Sequence, residues 1–242
     1  MLSKNKIKQI KLLKQKKYRN KFGLFVVEGV KSVNEFIKNN QFELDALFYT
    51  NEYKPIEKND AYTLISENDL KKISFLKSPQ KVLAVFKINE KDKVPDSDLI
   101  VALDSIQDPG NLGTIIRLCD WFGAKKIVCS MDTVDCFNPK VVQATMGSLN
   151  RVSIVYTDLT KYIKNSKKPI YAAIMDGDSV YKTKLQNEAV LLMGNEANGI
   201  SPENLQLVTH KIAIPRFGDL QKTESLNVAT ATAILLSEFK RN

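Results

Sequence analysis

Apolar residues recur at two different rhythms along this 242-residue chain, and the change of rhythm divides it. Up to residue 86 the elements are short. Residues 3–17 carry Ile7, Ile10 and Leu13 at helical spacing, Gly23 interrupts, and 24–27 is continuously apolar. Residues 30–38 place Val33, Phe36 and Ile37 on one side of a helix, while 44–49, 62–65 and 82–86 read as strands. Ser66 stands three residues before Asp69, a capping-box-like start for a short helix ending at Ile73. The pattern predicts a small α/β unit.

Residues 88–98, INEKDKVPDSD, are polar and aperiodic and form the expected linker between domains at 1–90 and 98–242. Beyond it strands are expected at 99–103, 126–129, 152–156, 170–175, 189–193 and 211–214. Helices are expected at 112–122, 139–146, 159–164, 202–207 and 225–239. Continuously apolar strands alternating with helices predict a parallel sheet covered on both faces. Ligands of such sheets sit beyond the carboxyl ends of the strands, so the strand-to-helix loops are where chemistry is expected.

Three loops there carry suitable residues. The first, DSIQDPGNLGTIIR, runs from Asp104 to Arg117. Asn111 is available as a helix cap, and Arg117, four residues past Gly113, falls one turn into the expected helix near its positive end. A guanidinium there suits a phosphate or a developing oxyanion, although a capped helix with a surface arginine is the plainer reading of the same residues. The second, LLMGNEANGIS, contains Met193, Gly194 and Glu196, with Ser201-Pro202 as a helix start. Gly194 offers bare backbone to a ligand; Glu196 is solvated, or paired with Arg117. The third joins Ile214-Pro215 to Ser225, the expected cap of the last helix, with Leu226 and Asn227 behind it. Neither a dinucleotide GxGxxG nor a phosphate-binding P-loop is present.

Charge adds a second site. Residues 1–21 hold Lys4, Lys6, Lys8, Lys11, Lys14, Lys16, Lys17, Arg19 and Lys21, and no acid precedes Glu28. The other 27 basic residues match the 27 acidic ones, so the whole net charge of +9 sits in this segment. Such a field attracts polyanions, and Lys14, Lys16, Lys17, Arg19 and Lys21 are the expected nucleic-acid contacts. A solvated arm that aids solubility is the bland alternative, and an anionic membrane a weaker one, since residues 1–21 lack Trp and Phe. No apolar run is long enough for a membrane helix, and lysines interrupt any signal-like core, so the expected location is cytoplasmic. Three cysteines without CxxC spacing and a single histidine, His210, predict reduced, buried thiols and no metal.

The order NLGTIIR, MGNEANGIS, IPRFG and SLNVATATAILLSE resembles the SpoU family of RNA methyltransferases, also called the TrmH family, of the SPOUT superfamily. KYRN…GLFVVEGVKSVNEF and SPQKVLAVF are similar to the accessory domain found in part of that family. The resemblance implies a parallel-sheet catalytic domain with a deep trefoil knot, S-adenosylmethionine as cofactor, a homodimer, and a small N-terminal α/β RNA-binding domain. It implies methyl transfer to a ribose 2′-hydroxyl, with ribosomal RNA favoured over transfer RNA. By position, Arg117, Asn111, Glu196, Ser225 and Asn227 match the catalytic set, and Met193, Gly194, Ile214 and Leu226 the cofactor-binding set. Two departures stand out. The loop 216–224, RFGDLQKTE, is longer than close members carry; Cys119 and Trp121 replace small or aliphatic residues, which packing would explain. An RNA-binding homologue without catalysis predicts damaged motifs, and these are intact; a nicotinamide enzyme predicts GxGxxG, which is missing.

Overall fold

The structure, a computed structural model, describes residues 2–88, 97–219 and 225–241. In chain order it begins with helices α1 (Lys4–Leu12) and α2 (Lys16–Phe22), strand β1 (Leu24–Glu28) and helix α3 (Val30–Asn39). Strands β2 (Leu44–Tyr49) and β3 (Tyr62–Leu64), helix α4 (Glu67–Ile73) and strand β4 (Val82–Lys87) follow. Next come β5 (Leu99–Leu103), α5 (Pro109–Phe122), β6 (Lys126–Cys129), α6 (Pro139–Thr145) and a 3-10 turn at Ser148–Asn150. The chain ends with β7 (Ser153–Tyr156), α7 (Leu159–Lys164), β8 (Ile170–Ser179), β9 (Ala189–Met193), α8 (Pro202–Leu205), β10 (His210–Ala213) and α9 (Val228–Arg241). The packing forms two compact units. One takes the N-terminal portion through β4 together with residues 135–150, the other the remainder.

In the first unit the sheet order is β1-β4-β2-β3, with β2 and β3 parallel and the other pairs antiparallel. Ser66 caps α4 through its hydroxyl, which accepts from the Asp69 N–H at 3.1 Å, as the spacing predicts. The lysine-rich segment is not a solvated arm. Ile10 and Leu13 are each 1% exposed and join Leu24, Val26, Leu70 and Ile73 in the core, which anchors the basic residues to a folded surface. Residues 135–150, which the pattern grouped with the second domain, pack here. Phe137 lies 4.7 Å from Phe25 between ring centroids, and α6 lies against β1.

Arg19 differs most from its expected role. It is 2% exposed, its Nε and Nη2 donate to Asp135 Oδ2, and Nη1 donates to the carbonyls of Leu13 and Lys14 at 2.8 and 2.9 Å. A buried guanidinium with these donors engaged is not available to an RNA phosphate, so Arg19 leaves the RNA-binding set and becomes the internal anchor of α2. Removing one partner strands a buried charge, so Arg19→Ala or Asp135→Ala is expected to lower stability by about 3–5 kcal/mol in urea denaturation. A change below roughly 0.5 kcal/mol, typical of surface positions, would contradict the anchor.

Glu28 closes the same unit. Its carboxylate is buried, accepting from the Ser74 hydroxyl and from the Phe75 N–H at 2.8 Å. Burial pushes its pKa above the ordinary glutamate value, outweighing the two hydrogen bonds, which lower it. Between those two pKa values the folded state holds a proton that the unfolded chain has released. Stability therefore falls as pH rises through that window and levels above it. Glu28→Gln keeps an acceptor for Phe75 and a donor for Ser74 but cannot ionise. Its stability should lack this decline when denaturation is followed from acid to neutral pH.

The second unit has the expected parallel sheet, in the order β10-β8-β9-β5-β6-β7 with every pair parallel. The central strands β5 and β9, LIVAL and AVLLM, are buried at every residue, as strands covered on both faces must be. Strand β8 runs four residues beyond its expected end. Its ladder with β10 jumps from Ala172–Lys211 to Asp178–Ile212, and a Cβ at Gly177 would lie 2.6–2.7 Å from the backbone of Lys211 and Ile212. Only glycine lets the two chains approach so closely. Cys119, Cys129 and Cys136 are buried. No helix among the described residues is long and apolar enough to cross a membrane.

Candidate active site

Helix α5 starts earlier than the apolar pattern indicates, and this changes the meaning of two residues. Asp108 is its cap, accepting from the Asn111 N–H at 2.8 Å, and Pro109 occupies the first turn, where a missing N–H costs nothing. Asn111 is therefore not the cap. Arg117 lies in the third turn rather than at the positive end, so the free N–H groups of the helix start do not assist it.

Asn111 turns its side chain outward to other loops. Its amide nitrogen donates to Glu196 Oε1 at 2.7 Å, and its amide oxygen accepts from Asn227 Nδ2 at 2.9 Å. Asn227 in turn caps α9, its oxygen accepting from the N–H groups of Ala229 and Thr230 at 3.0 and 3.2 Å. Asn227, not Ser225, is thus the cap of the last helix, and Ser225 lies exposed before it. Every donor in this chain points toward Glu196, from the N-terminus of α9 through two amides to the carboxylate. Such an alignment polarises each bond in the same sense.

A buried network holds these loops in register. Asp104, 4% exposed at the end of β5, accepts at Oδ2 from Ser201 N, Ser201 Oγ and Asn204 Nδ2 at 2.9, 2.7 and 2.8 Å. The Ser201 hydroxyl therefore serves Asp104 and does not cap α8. Asn195 donates to the Ser105 carbonyl at 2.6 Å and accepts from Ala197 and Asn198 N–H groups. Ser105 has φ 59°, an uncommon conformation for a residue with a side chain. Its hydroxyl donates to Asp132, and that bond, followed by one from Ser130, holds the Asp132 carboxyl below the usual carboxylate range. Asp104, Ser105 and Asn195 were not among the expected site residues. The available signal was an acid directly ending an apolar strand, which has to be satisfied if buried.

Arg117 is exposed and has no hydrogen-bond or ion-pair partner among the described residues; Glu196 is held by Asn111 and not by Arg117. Arg117 lies six positions beyond Asn111, about 9 Å along the helix axis. Trp121, one turn further, is 84% exposed, so packing accounts for buried Cys119 but not for this tryptophan.

Met193 is buried at the end of β9, and Gly194 is half-buried. The bare face of Gly194 is filled by its own chain, since a Cβ would lie 2.3–2.6 Å from backbone atoms of Gly199 and Ile200. The glycine is required by the 194–200 turn itself. Ile214 follows β10 half-buried, and Leu226 is 50% exposed beside Asn227. Lys14, Lys16, Lys17 and Lys21 are exposed in the first unit. Of the longer loop, residues 220–224 lie outside the described residues. Among the described residues no group of three His, Cys, Asp or Glu side chains could hold a metal ion.

Residues 98–237 match the SpoU rRNA Methylase family, and residues 4–84 match the MRM3-like substrate binding domain. The 23S rRNA (guanosine(2553)-2′-O)-methyltransferase RlmP of Bacillus subtilis (strain 168) is 30% identical over 241 residues, covering 97% of this chain and 96% of that protein. A TrmH-family structure from Porphyromonas gingivalis superposes with a TM-score of 0.90 at 38% identity, over 100% of this chain and 99% of its own. The AdoMet-bound rRNA methyltransferase from Sinorhizobium meliloti superposes with a TM-score of 0.85 at 29% identity, over 100% and 96%. With a family match over more than half its length and a relative aligned nearly end to end, the chain belongs to the SpoU rRNA methylase family.

Proposed function

We propose that this protein transfers the methyl group of S-adenosylmethionine to a ribose 2′-hydroxyl of RNA, in large-subunit ribosomal RNA. The observation that carries this reading is the amide chain from Asn227 through Asn111 to Glu196 at the carboxyl edge of the sheet, with Arg117, unpartnered among the described residues, further along the helix that carries Asn111. The named activity of the Bacillus subtilis relative supports the ribosomal target over transfer RNA.

A ribose hydroxyl is weakly acidic, so the chain must place it, stabilise its developing charge and accept its proton. Arg117 remains protonated and is assigned to the target phosphate and to the developing negative charge on the oxygen. Glu196 is assigned the proton. Asn111 fixes its Oε1, and Oε2 has no partner among the described residues. Asn111, Asn227 and Ser225 shape the pocket. Leu226, next to Asn227 of the amide chain, and the half-buried Ile214 leave apolar surface, which fits a donor with an apolar methionine stem and an adenine. With Met193 and Gly194 they are the residues that would hold it. When bound, S-adenosylmethionine supplies an electrophilic sulfonium methyl.

Residues 1–90 are assigned to RNA binding and 98–242 to catalysis, with Lys14, Lys16, Lys17 and Lys21 as RNA contacts. A deep trefoil knot is assigned to the catalytic part from its membership of the SpoU family. We assign a homodimer, in which Trp121, 84% exposed among the described residues, is available as a contact; the protein is assigned to the cytoplasm. Offered methyl-labelled donor with purified large-subunit ribosomal RNA, small-subunit ribosomal RNA and transfer RNA, the protein should label the first alone. Labelling confined to transfer RNA would overturn the target assignment.

A further inference from the structure

Helix α2, KKYRNKF, has one side facing in and one facing out. Inward, Arg19 fixes it to Asp135 and to the turn before it. Outward, Tyr18 and Phe22 stand four residues apart with rings stacked nearly parallel, centroids 6.1 Å apart at 17°. Phe22 is 36% exposed. The Lys17 ammonium lies 4.8 Å from the Tyr18 ring centroid and that of Lys21 lies 6.0 Å from Phe22. Lys14 is exposed just before the helix, and no acid occurs before Glu28.

A cluster of lysines alone recruits any polyanion. The exposed Phe22 ring, with the half-buried Tyr18 ring stacked beside it, adds something that a duplex cannot use, because its bases are already stacked on one another. We propose that the outer face of α2 is a stacking platform for an unpaired nucleobase of the RNA substrate, with Lys14, Lys17 and Lys21 on the flanking phosphates. The buried Arg19 makes the platform rigid, so little ordering cost falls on binding. The inference rests on the RNA reading given above and adds to it that the accessory unit selects single-stranded RNA.

The test uses the full chain with a fluorescently labelled short oligoadenylate RNA and a labelled RNA duplex of the same length, followed by anisotropy. Phe22→Ala should weaken oligoadenylate binding about 5- to 100-fold, the range of one lost base–ring stack, and leave duplex binding nearly unchanged. Phe22→Trp should restore single-strand affinity. Lys21→Ala should weaken both RNAs and lower the salt dependence of single-strand binding by roughly 0.7 in slope. An unchanged oligoadenylate affinity in Phe22→Ala would overturn the proposal. So would an equal loss on both RNAs, which would mean that the ring only supports the helix. Binding of an oligoglutamate peptide with the same dependence on Phe22 would also overturn it, by pointing to an acidic protein partner. Calorimetry with S-adenosylhomocysteine separates the two readings. Retained binding in the variants shows an intact catalytic unit. A wild-type protein that stacks oligoadenylate but does not take up this cofactor product would uphold the platform while removing the methyltransferase assignment.

Discussion

Replacing Arg117 by alanine should lower the rate of methyl transfer by about 10²–10³-fold, the usual cost of removing one group that stabilises a developing oxyanion. The side chain is exposed and unpartnered among the described residues, so stability should change by no more than about 0.5 kcal/mol. Affinity for S-adenosylhomocysteine should stay as it is, because Arg117 is assigned to the nucleotide and not to the donor. Arg117→Lys keeps the charge and loses the planar fork, so it should recover only part of the rate. Single-turnover transfer to ribosomal RNA, with calorimetry of the cofactor product alongside, checks all three. Near-normal turnover in Arg117→Ala would take the arginine out of the mechanism.

The second large effect is expected at Asp104. Its carboxylate receives three donors, and alanine would leave Ser201 N, Ser201 Oγ and Asn204 Nδ2 without their acceptor. A donor stranded in the interior costs about 1–3 kcal/mol, and the three share one neighbourhood, so a loss of about 3–5 kcal/mol is expected, below their sum. Asp104→Asn keeps an oxygen for these donors but loses the charge assistance, and should show roughly half of that loss. Urea denaturation measures both. Because Asp104 ties the 194–201 segment to β5, the asparagine variant should also raise the KM for S-adenosylmethionine more than it lowers kcat. A fall in kcat alone would contradict this positioning role.

What the chain reveals by pattern and what it conceals follow from how local each determinant is. The parallel sheet was legible because β5 and β9 are uninterrupted apolar runs, a signal that needs no knowledge of neighbours. The start of α5 was not, because Asp108-Pro109-Gly110 has the composition of a turn. Only the hydrogen bond from Asn111 to Asp108 shows that it is a cap. Ser225 and Asn227 are both good caps by type. Asn227 prevails because an amide has an acceptor for the helix and a donor left for Asn111, which together satisfy two loops. Arg19 looked like one more cation in a basic run. It was the only arginine among eight lysines, and arginine is the cation whose fork suits a buried carboxylate and nearby carbonyls. Its partner lies 116 residues away, beyond the reach of any local pattern. Gly194 was legible as special, but one reason was not: the backbone that a Cβ there would meet belongs to its own turn.

The catalytic candidates were found by motif, and the geometry divides them. Asn111, Glu196 and Asn227 are joined in one hydrogen-bonded chain, whereas Arg117 stands apart, further along the helix that carries Asn111. This separation suits a division of labour in which the carboxylate handles the proton and the guanidinium handles the phosphate and the developing charge.

The position of the transferred methyl group tests the central claim most directly. Large-subunit ribosomal RNA incubated with the protein and methyl-labelled S-adenosylmethionine would be hydrolysed with alkali and then resolved by mass spectrometry. A 2′-O-methyl ribose blocks cleavage of the adjoining phosphodiester, so the label should appear in an alkali-resistant dinucleotide and should vanish with Arg117→Ala. Label recovered in single nucleotides as a methylated base would contradict the account.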